Sequence, residues 1–119
     1  MQTINRDAIT VSVRKPLIDW INSLDPLNPI QYLDPSAYDE STIYLIEELE
    51  TEEDFNEWIR EHYLELFEEE LFGWVTDDSV WPTPLTYELF TEWIQVSYQS
   101  VVMDLVYNEP IEYDEDFQG

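Results

Sequence analysis

Six glutamates, Glu53, Glu57, Glu61, Glu65, Glu68 and Glu69, recur at short, helix-compatible spacings along one stretch of the chain. On an α-helix, carboxylates at i and i+4 lie about 6 Å apart along the axis. Each such like-charge pair costs about a few tenths of a kcal/mol. Solubility alone would interleave lysines, yet Arg60 is the one Lys or Arg among them. A local cost without a local gain is the pattern expected where a partner supplies the gain. The chemistry open to such a row is electrostatic: docking a basic protein surface or another polycation, as a mimic of nucleic-acid charge would. A DNA strand is denser, with one charge every ~3.4 Å of axis. Good imitation would need a second acidic row, such as Asp114, Glu115 and Asp116. The same row is also what a generally acidic protein turns toward solvent.

Trp74 and Trp81 flank Asp77 and Asp78 in the segment that follows. Tryptophans beside acids suit docking against arginine, through charge and cation–π contact. The alternative is that both indoles fold back to cap the core. His62, with Glu61 and Glu65 close by, has the neighbours of a general base and equally those of a histidine at the edge of a core. No residue is assigned a catalytic role. A calcium loop is missing, the single histidine rules out paired Glu-x-x-His ligands, and the absence of cysteine excludes thiolate sites and disulfides. Two isolated glycines cannot build a phosphate cradle. No cofactor or metal is expected.

Elements that could position these residues follow from periodicity. Ala8 to Arg14 alternates as a half-buried strand, and Pro16 opens a short helix to Leu24, carrying Leu17, Trp20 and Ile21. Asp25 to Ser41, with three prolines, reads as a loop, and Thr42 to Ile46 as a buried second strand. Thr51 caps the longest helix, Glu52 to Phe72, which Gly73 is expected to end. Trp74 to Pro84 is turn-rich, and Thr86 caps a third helix with Leu89, Phe90, Trp93 and Ile94 inward. Gln95 to Tyr107 reads as one long strand with a bulge near Ser100. The fold class is α+β: a two-layer domain in the order β-α-β-α-α-β, its three-stranded sheet covered by three helices mainly on one face. Residues 1–119 form one domain, with 108–119 a mobile acidic tail.

The segments NRDAITVSVRKPLIDWINSL (Asn5 to Leu24), DESTIYLI (Asp39 to Ile46), EEELFGWVTDDSVWP (Glu68 to Pro82) and YELFTEWIQVSYQSVVMDL (Tyr87 to Leu105) resemble a family of small acidic bacterial proteins of unassigned function. A proline-rich stretch around Leu27 to Pro35 and an extended tail after Leu105 depart from its pattern. The resemblance implies a bacterial, cytoplasmic protein. It carries no functional residue over.

The charge balance narrows the partners. Twenty-eight acids against four Lys or Arg give a formal net charge of −24, and three of those cations lie within the first fifteen residues. Direct binding to nucleic acid or to an anionic membrane is therefore disfavoured, and no run is long enough to span a bilayer. A disordered acidic chain would lack the 15% of aromatic residues found here, and a salt-adapted one would have a less bulky interior. The leading expectation is an interaction module for a basic protein. A small carboxylate-dependent enzyme or metal-binding protein, and an accessory domain without a specific ligand, are the alternatives. Crowded carboxylates further predict stability that rises with added salt, and rises as pH falls from neutral toward about 5.

Overall fold

Ile9 and Val11 are fully buried because their strand has a neighbour on each edge and a helical layer on one face. The computed structural model describes residues 2–31 and 41–114. It is an α+β fold of three helices, a three-stranded sheet and a two-stranded pair. The strands are β1 (Gln2–Thr3), β2 (Asp7–Val13), β3 (Thr42–Ile46), β4 (Ile94–Gln99) and β5 (Met103–Asp104). The helices are α1 (Lys15–Leu24), α2 (Glu52–Trp74) and α3 (Tyr87–Trp93), with a 3₁₀ turn over Asp78–Val80. The main sheet has the order β3-β2-β4, antiparallel throughout, and β1 pairs antiparallel with β5.

The expected single sheet and the order β-α-β-α-α-β are thus corrected to two sheets in the order β-β-α-β-α-α-β-β, leaving aside the 3₁₀ turn. The physical reason lies in the register. From the Ala8–Gln99 pair to the Thr3–Met103 pair, the N-terminal strand advances five positions and the C-terminal strand four. The extra residue belongs to the segment joining β1 to β2, so the long strand expected over Gln95 to Tyr107 breaks into β4 and β5 at a bend on Ser100. Ile4 N–H still donates to Val102 O at 3.0 Å, so β1 and β5 continue the β2–β4 ribbon beyond the helices.

Alternation sorts the sheet into two faces. On the inner face Tyr44, Ile9 and Tyr98 lie side by side, as do Val11 and Val96, and Val13 and Ile94. Leu17, Ile18 and Ile21 of α1, Ile59, Leu66, Phe67 and Leu71 of α2, and Phe90 of α3 join them in one core. Phe67 meets Phe90 edge-on at 5.6 Å, and Trp20 lies 5.5 Å from Trp93. The outer face carries Leu45, Ala8 and Gln99 in one row, Ile43, Thr10 and Ser97 in the next, then Ser12 and Gln95.

β3 is an edge strand rather than the buried strand expected: only Ile46 is fully enclosed, while Ile43 is 66% exposed and Leu45 46%. Its hydrophobic composition does not decide its burial; its place beside β2 does. Local capping follows the sequence closely. The Thr51 hydroxyl accepts from Asp54 N–H at 3.0 Å, and the Thr86 hydroxyl from Leu89 N–H at 3.1 Å. Gly73 does not end α2, because the ladder continues until Val75 N–H donates to Leu71 O at 2.7 Å. Ile94 opens β4 rather than lying on α3. Residues 108–114 are exposed and without regular structure. The end of the expected acidic tail (115–119) and the later part of the expected proline-rich loop (32–40) lie outside the described residues.

Candidate functional site

Nine of the 23 residues of α2 are acidic. At about 100° of rotation per residue, Glu53, Glu57, Glu61 and Glu68 fall within an arc of about 80°, while Glu65 and Glu69 lie roughly 120° and 160° from Glu53. The series from Glu53 to Glu69 therefore drifts around the helix by about 40° per step of four residues. Four make a strip along the outer side of the helix, and two turn toward β3. All are exposed except Glu69, which is half-buried.

None of the four basic side chains forms an ion pair with a carboxylate of α2 among the described residues. Lys15 pairs with Asp19 on α1 at 3.0 Å, Arg6 donates to Asn5 O at 2.8 Å, and Arg14 Nε to Ile94 O at 3.3 Å. Arg60, the one cation within the helix, lies 4.6 Å over the ring of Tyr87, a cation–π contact.

The strip runs into a shallow groove of about 390 Å³ between α2 and the connection to α3. Glu68 and Asp78 supply its carboxylates, and Leu64, Trp81, Pro82 and Leu85 supply apolar surface. Trp81 packs against the core and its Nε1–H donates to Val75 O at 2.8 Å. Trp74, on the last turn of α2, is 37% exposed. The two tryptophans thus divide between the two alternatives: one indole folded back, one turned to solvent. Asp77 is committed to its own turn, accepting from Ser79 N–H at 3.0 Å and from Ser79 Oγ at 2.6 Å. Those two bonds, the hydroxyl first, hold its carboxyl below the usual range. Asp77 therefore shapes the loop, whereas Asp78 faces the groove.

On the other side of α2, Glu65 and Glu69 line a cleft of about 700 Å³ with Tyr44, Glu47, Trp58, His62 and Arg6. His62 stacks on Trp58 with centroids 4.2 Å apart. Its Nδ1 lies 2.8 Å from Trp58 O; a carbonyl only accepts, so Nδ1 carries the proton. That is the arrangement of a histidine at the edge of a core, held by its own helix. Trp58 Nε1 is buried without a hydrogen-bond partner among the described residues.

Two features of this side were missed from the sequence. Tyr44 donates to Glu70 Oε2 at 2.7 Å. Burial pushes the Glu70 carboxyl above its usual value, against the lowering effect of hydrogen bonds from Tyr44 and Thr42. Burial first, then Glu70 itself, raises the Tyr44 hydroxyl strongly. The signal was present: by helical rotation Glu70 lies roughly 260° from Glu53, on the side of Ile59 rather than with the other acids. The second feature is Asp7, almost fully buried, which accepts from Leu49 N–H at 2.9 Å and from the Tyr98 hydroxyl. The Tyr98 bond to Asp7 pushes that hydroxyl up to about 12.

No family model, curated protein or solved structure matches the chain. No helix among the described residues is long and apolar enough to cross a membrane.

Proposed function

We propose that the chain is an acidic docking module for a basic protein segment, which it engages in competition with nucleic acid. The observation that supports this most is the continuity of the uncompensated glutamate strip of α2 with the Glu68–Asp78–Trp81 groove. A basic segment lying along the strip meets carboxylates about one helical turn apart. An arginine entering the groove finds two acids at the rim and an indole and aliphatic wall for its stem and guanidinium plane. Arg60, the one cation beside the strip, is held over Tyr87 and forms no ion pair with the strip among the described residues, so a partner gains charge pairing and displaces none. The carboxylate-enzyme reading asks for a closed pocket with buried acids; in the larger cleft Glu47 and Glu65 are exposed and Glu69 half-buried. The more enclosed Asp7 and Glu70 do not line it and are bonded to Leu49, Tyr98 and Tyr44.

The test is titration of the protein with a fluorescent oligoarginine peptide, followed by competition with duplex DNA. Binding should weaken steeply as salt rises from about 50 to 200 mM. DNA should displace the protein from the peptide. A variant carrying Glu57→Gln, Glu61→Gln, Glu68→Gln and Asp78→Asn should bind at least about tenfold more weakly. Affinity that ignores salt, or that survives all four substitutions, would sink the reading.

A further inference from the structure

We infer that a second copy of this chain docks through the outer face of the main sheet, with the arm that contains β5 from each copy laid over the sheet of the other. This surface is distinct from the acidic strip and rests on different observations.

The eight outward side chains of β3, β2 and β4 include no charge at all, in a chain of net charge −24. Two such chains repel at long range, and surface carboxylates brought together repel further. An acid-free face is where two copies can meet without that opposition. Its edge is open: Ile43 and Leu45 stand exposed on β3, and Ser97 and Gln99 on β4, while Ala8 and Ser12 of the central strand are buried between their neighbours.

The arm is the complementary half. Val101 is 65% exposed and Leu105 64%, with Met103 and Tyr107 also exposed, at every second position. Asp104 is the one acid between Ser100 and Tyr107, and its carboxylate is turned back to accept from Val106 N–H at 2.8 Å. A two-stranded ribbon with two paired residues per strand is marginal by itself and gains stability when its apolar side is covered. Among the described residues each chain therefore holds an uncharged floor with exposed edges and an apolar ribbon with exposed side chains. The arm leaves its own floor exposed. Two copies related by a twofold axis satisfy both at once, and such an isologous contact closes on itself.

The area is sufficient. Ile43, Leu45, Val101, Met103, Leu105 and Tyr107 offer on the order of 100 Å² each. Complete reciprocal covering would remove roughly 1,200 Å² over both copies, at the lower edge of stable interfaces.

Sedimentation equilibrium of the full chain tests the proposal. The expected result is a dimer of twice 14.3 kDa that tightens as salt is raised, because screening relieves repulsion between the two anionic bodies. Leu45→Glu on the face and Leu105→Glu on the arm should each weaken association at least about tenfold. Both residues are exposed, and far-UV circular dichroism should confirm an unchanged fold. An equimolar mixture of the two variants should associate more tightly than either alone, because one of the two arm-to-face contacts is then free of substitutions. A monomer at about 100 μM in high salt, open-ended growth, a dimer indifferent to both substitutions, or a mixture no tighter than its components would each overturn the proposal.

Discussion

On its helix side the β3-β2-β4 sheet packs Ile9 and Val11 against α1, α2 and α3 until neither is exposed, whereas on its other side Ile43, Leu45, Ser97 and Gln99 stand exposed. The helix side is also where the charge is. Fourteen of the 23 acids among the described residues lie between Glu47 and Asp78, on α2 and its flanks, and none of the eight outward side chains of the sheet is charged. Among the described residues the negative charge is therefore concentrated in one region. A helix lets carboxylates radiate into solvent one turn apart, while cross-strand neighbours on a flat sheet stand about 5 Å from one another. The chain places its repulsion where solvent and a cationic partner can relieve it, and leaves neutral the surface where a like-charged copy can approach. The two surfaces should consequently respond to salt with opposite signs, binding of a basic peptide weakening and self-association strengthening.

The comparison can be broken most directly by truncating an apolar residue in each region. Phe67→Ala, under the helical layer, should cost about 3–5 kcal/mol in urea unfolding, through lost transfer energy and a residual cavity. Leu105→Ala, on the arm, should change the stability of the dilute protein by no more than about 0.5 kcal/mol. Equal effects would mean that the arm is covered within one chain, and the division between regions would fall.

Much of the helix side was legible in advance because its determinants are local. Thr51 and Thr86 cap helices through bonds reaching three residues, and the stripe Ile59, Leu66 and Phe67 repeats at helical spacing. The drift of Glu65 and Glu69 away from Glu53 also follows from rotation, although their place on the wall of the β3 cleft does not. The sheet side was less legible because its determinants are distant. The break between β4 and β5 depends on an extra residue about ninety positions earlier in the chain, between Thr3 and Ala8, and only the pairing reveals it. The exposure of Ile43 and Leu45 depends on β3 lying at the edge, which composition does not encode. Gly73 misleads for a different reason: a glycine can end a helix, but here nothing prevents the ladder from running on to Val75.

The seam between the sheet and the acidic helix offers the next effect in size. Asp7, at the start of β2, accepts from Leu49 N–H just ahead of α2 and from Tyr98 on β4. Asp7→Ala strands Leu49 N–H, leaves the Tyr98 hydroxyl only its 3.3 Å bond to Leu49 O, and should cost about 1–3 kcal/mol. Tyr98→Phe removes one donor and leaves the other paired, so it should cost less, about 0.5–1.5 kcal/mol. Urea unfolding of both variants checks the ordering; a harmless Asp7→Ala would show that the two regions are joined by packing alone.

The charge itself should act more weakly on folding. With no cation of the described chain paired to the α2 strip, added salt should raise the melting temperature by screening repulsion among the glutamates. Glu57→Gln together with Glu61→Gln should stabilise by about a few tenths of a kcal/mol at low salt, and the gain should vanish at high salt. A melting temperature flat in salt would mean that the strip acids are too well separated to interact.

The smallest effect is also the one whose sign is least obvious. Glu70 differs from the other acids of α2 because burial, more than the Glu69 charge, raises its carboxyl above the usual value while Tyr44 donates to it. Between its unfolded and folded pKa values the folded chain holds more protons than the unfolded one, so stability falls as pH rises through that window and is greatest below it. Asp77 acts in the opposite direction: Ser79 lowers its carboxyl, so its contribution is present above its unfolded value and lost as pH falls through its folded one. The Glu70 gain therefore comes first on acidification from neutrality, and the Asp77 loss follows at lower pH. Glu70→Gln keeps an acceptor for the Tyr44 hydroxyl and removes the buried charge. It should raise stability near neutrality by about 0.5 kcal/mol or less and flatten the rise on acidification that the parent chain shows, both readable from melting temperatures across a pH series. If Glu70→Gln instead destabilises at neutral pH, the charged hydrogen bond from Tyr44 outweighs desolvation, and the ionised Glu70 fastens α2 to β3.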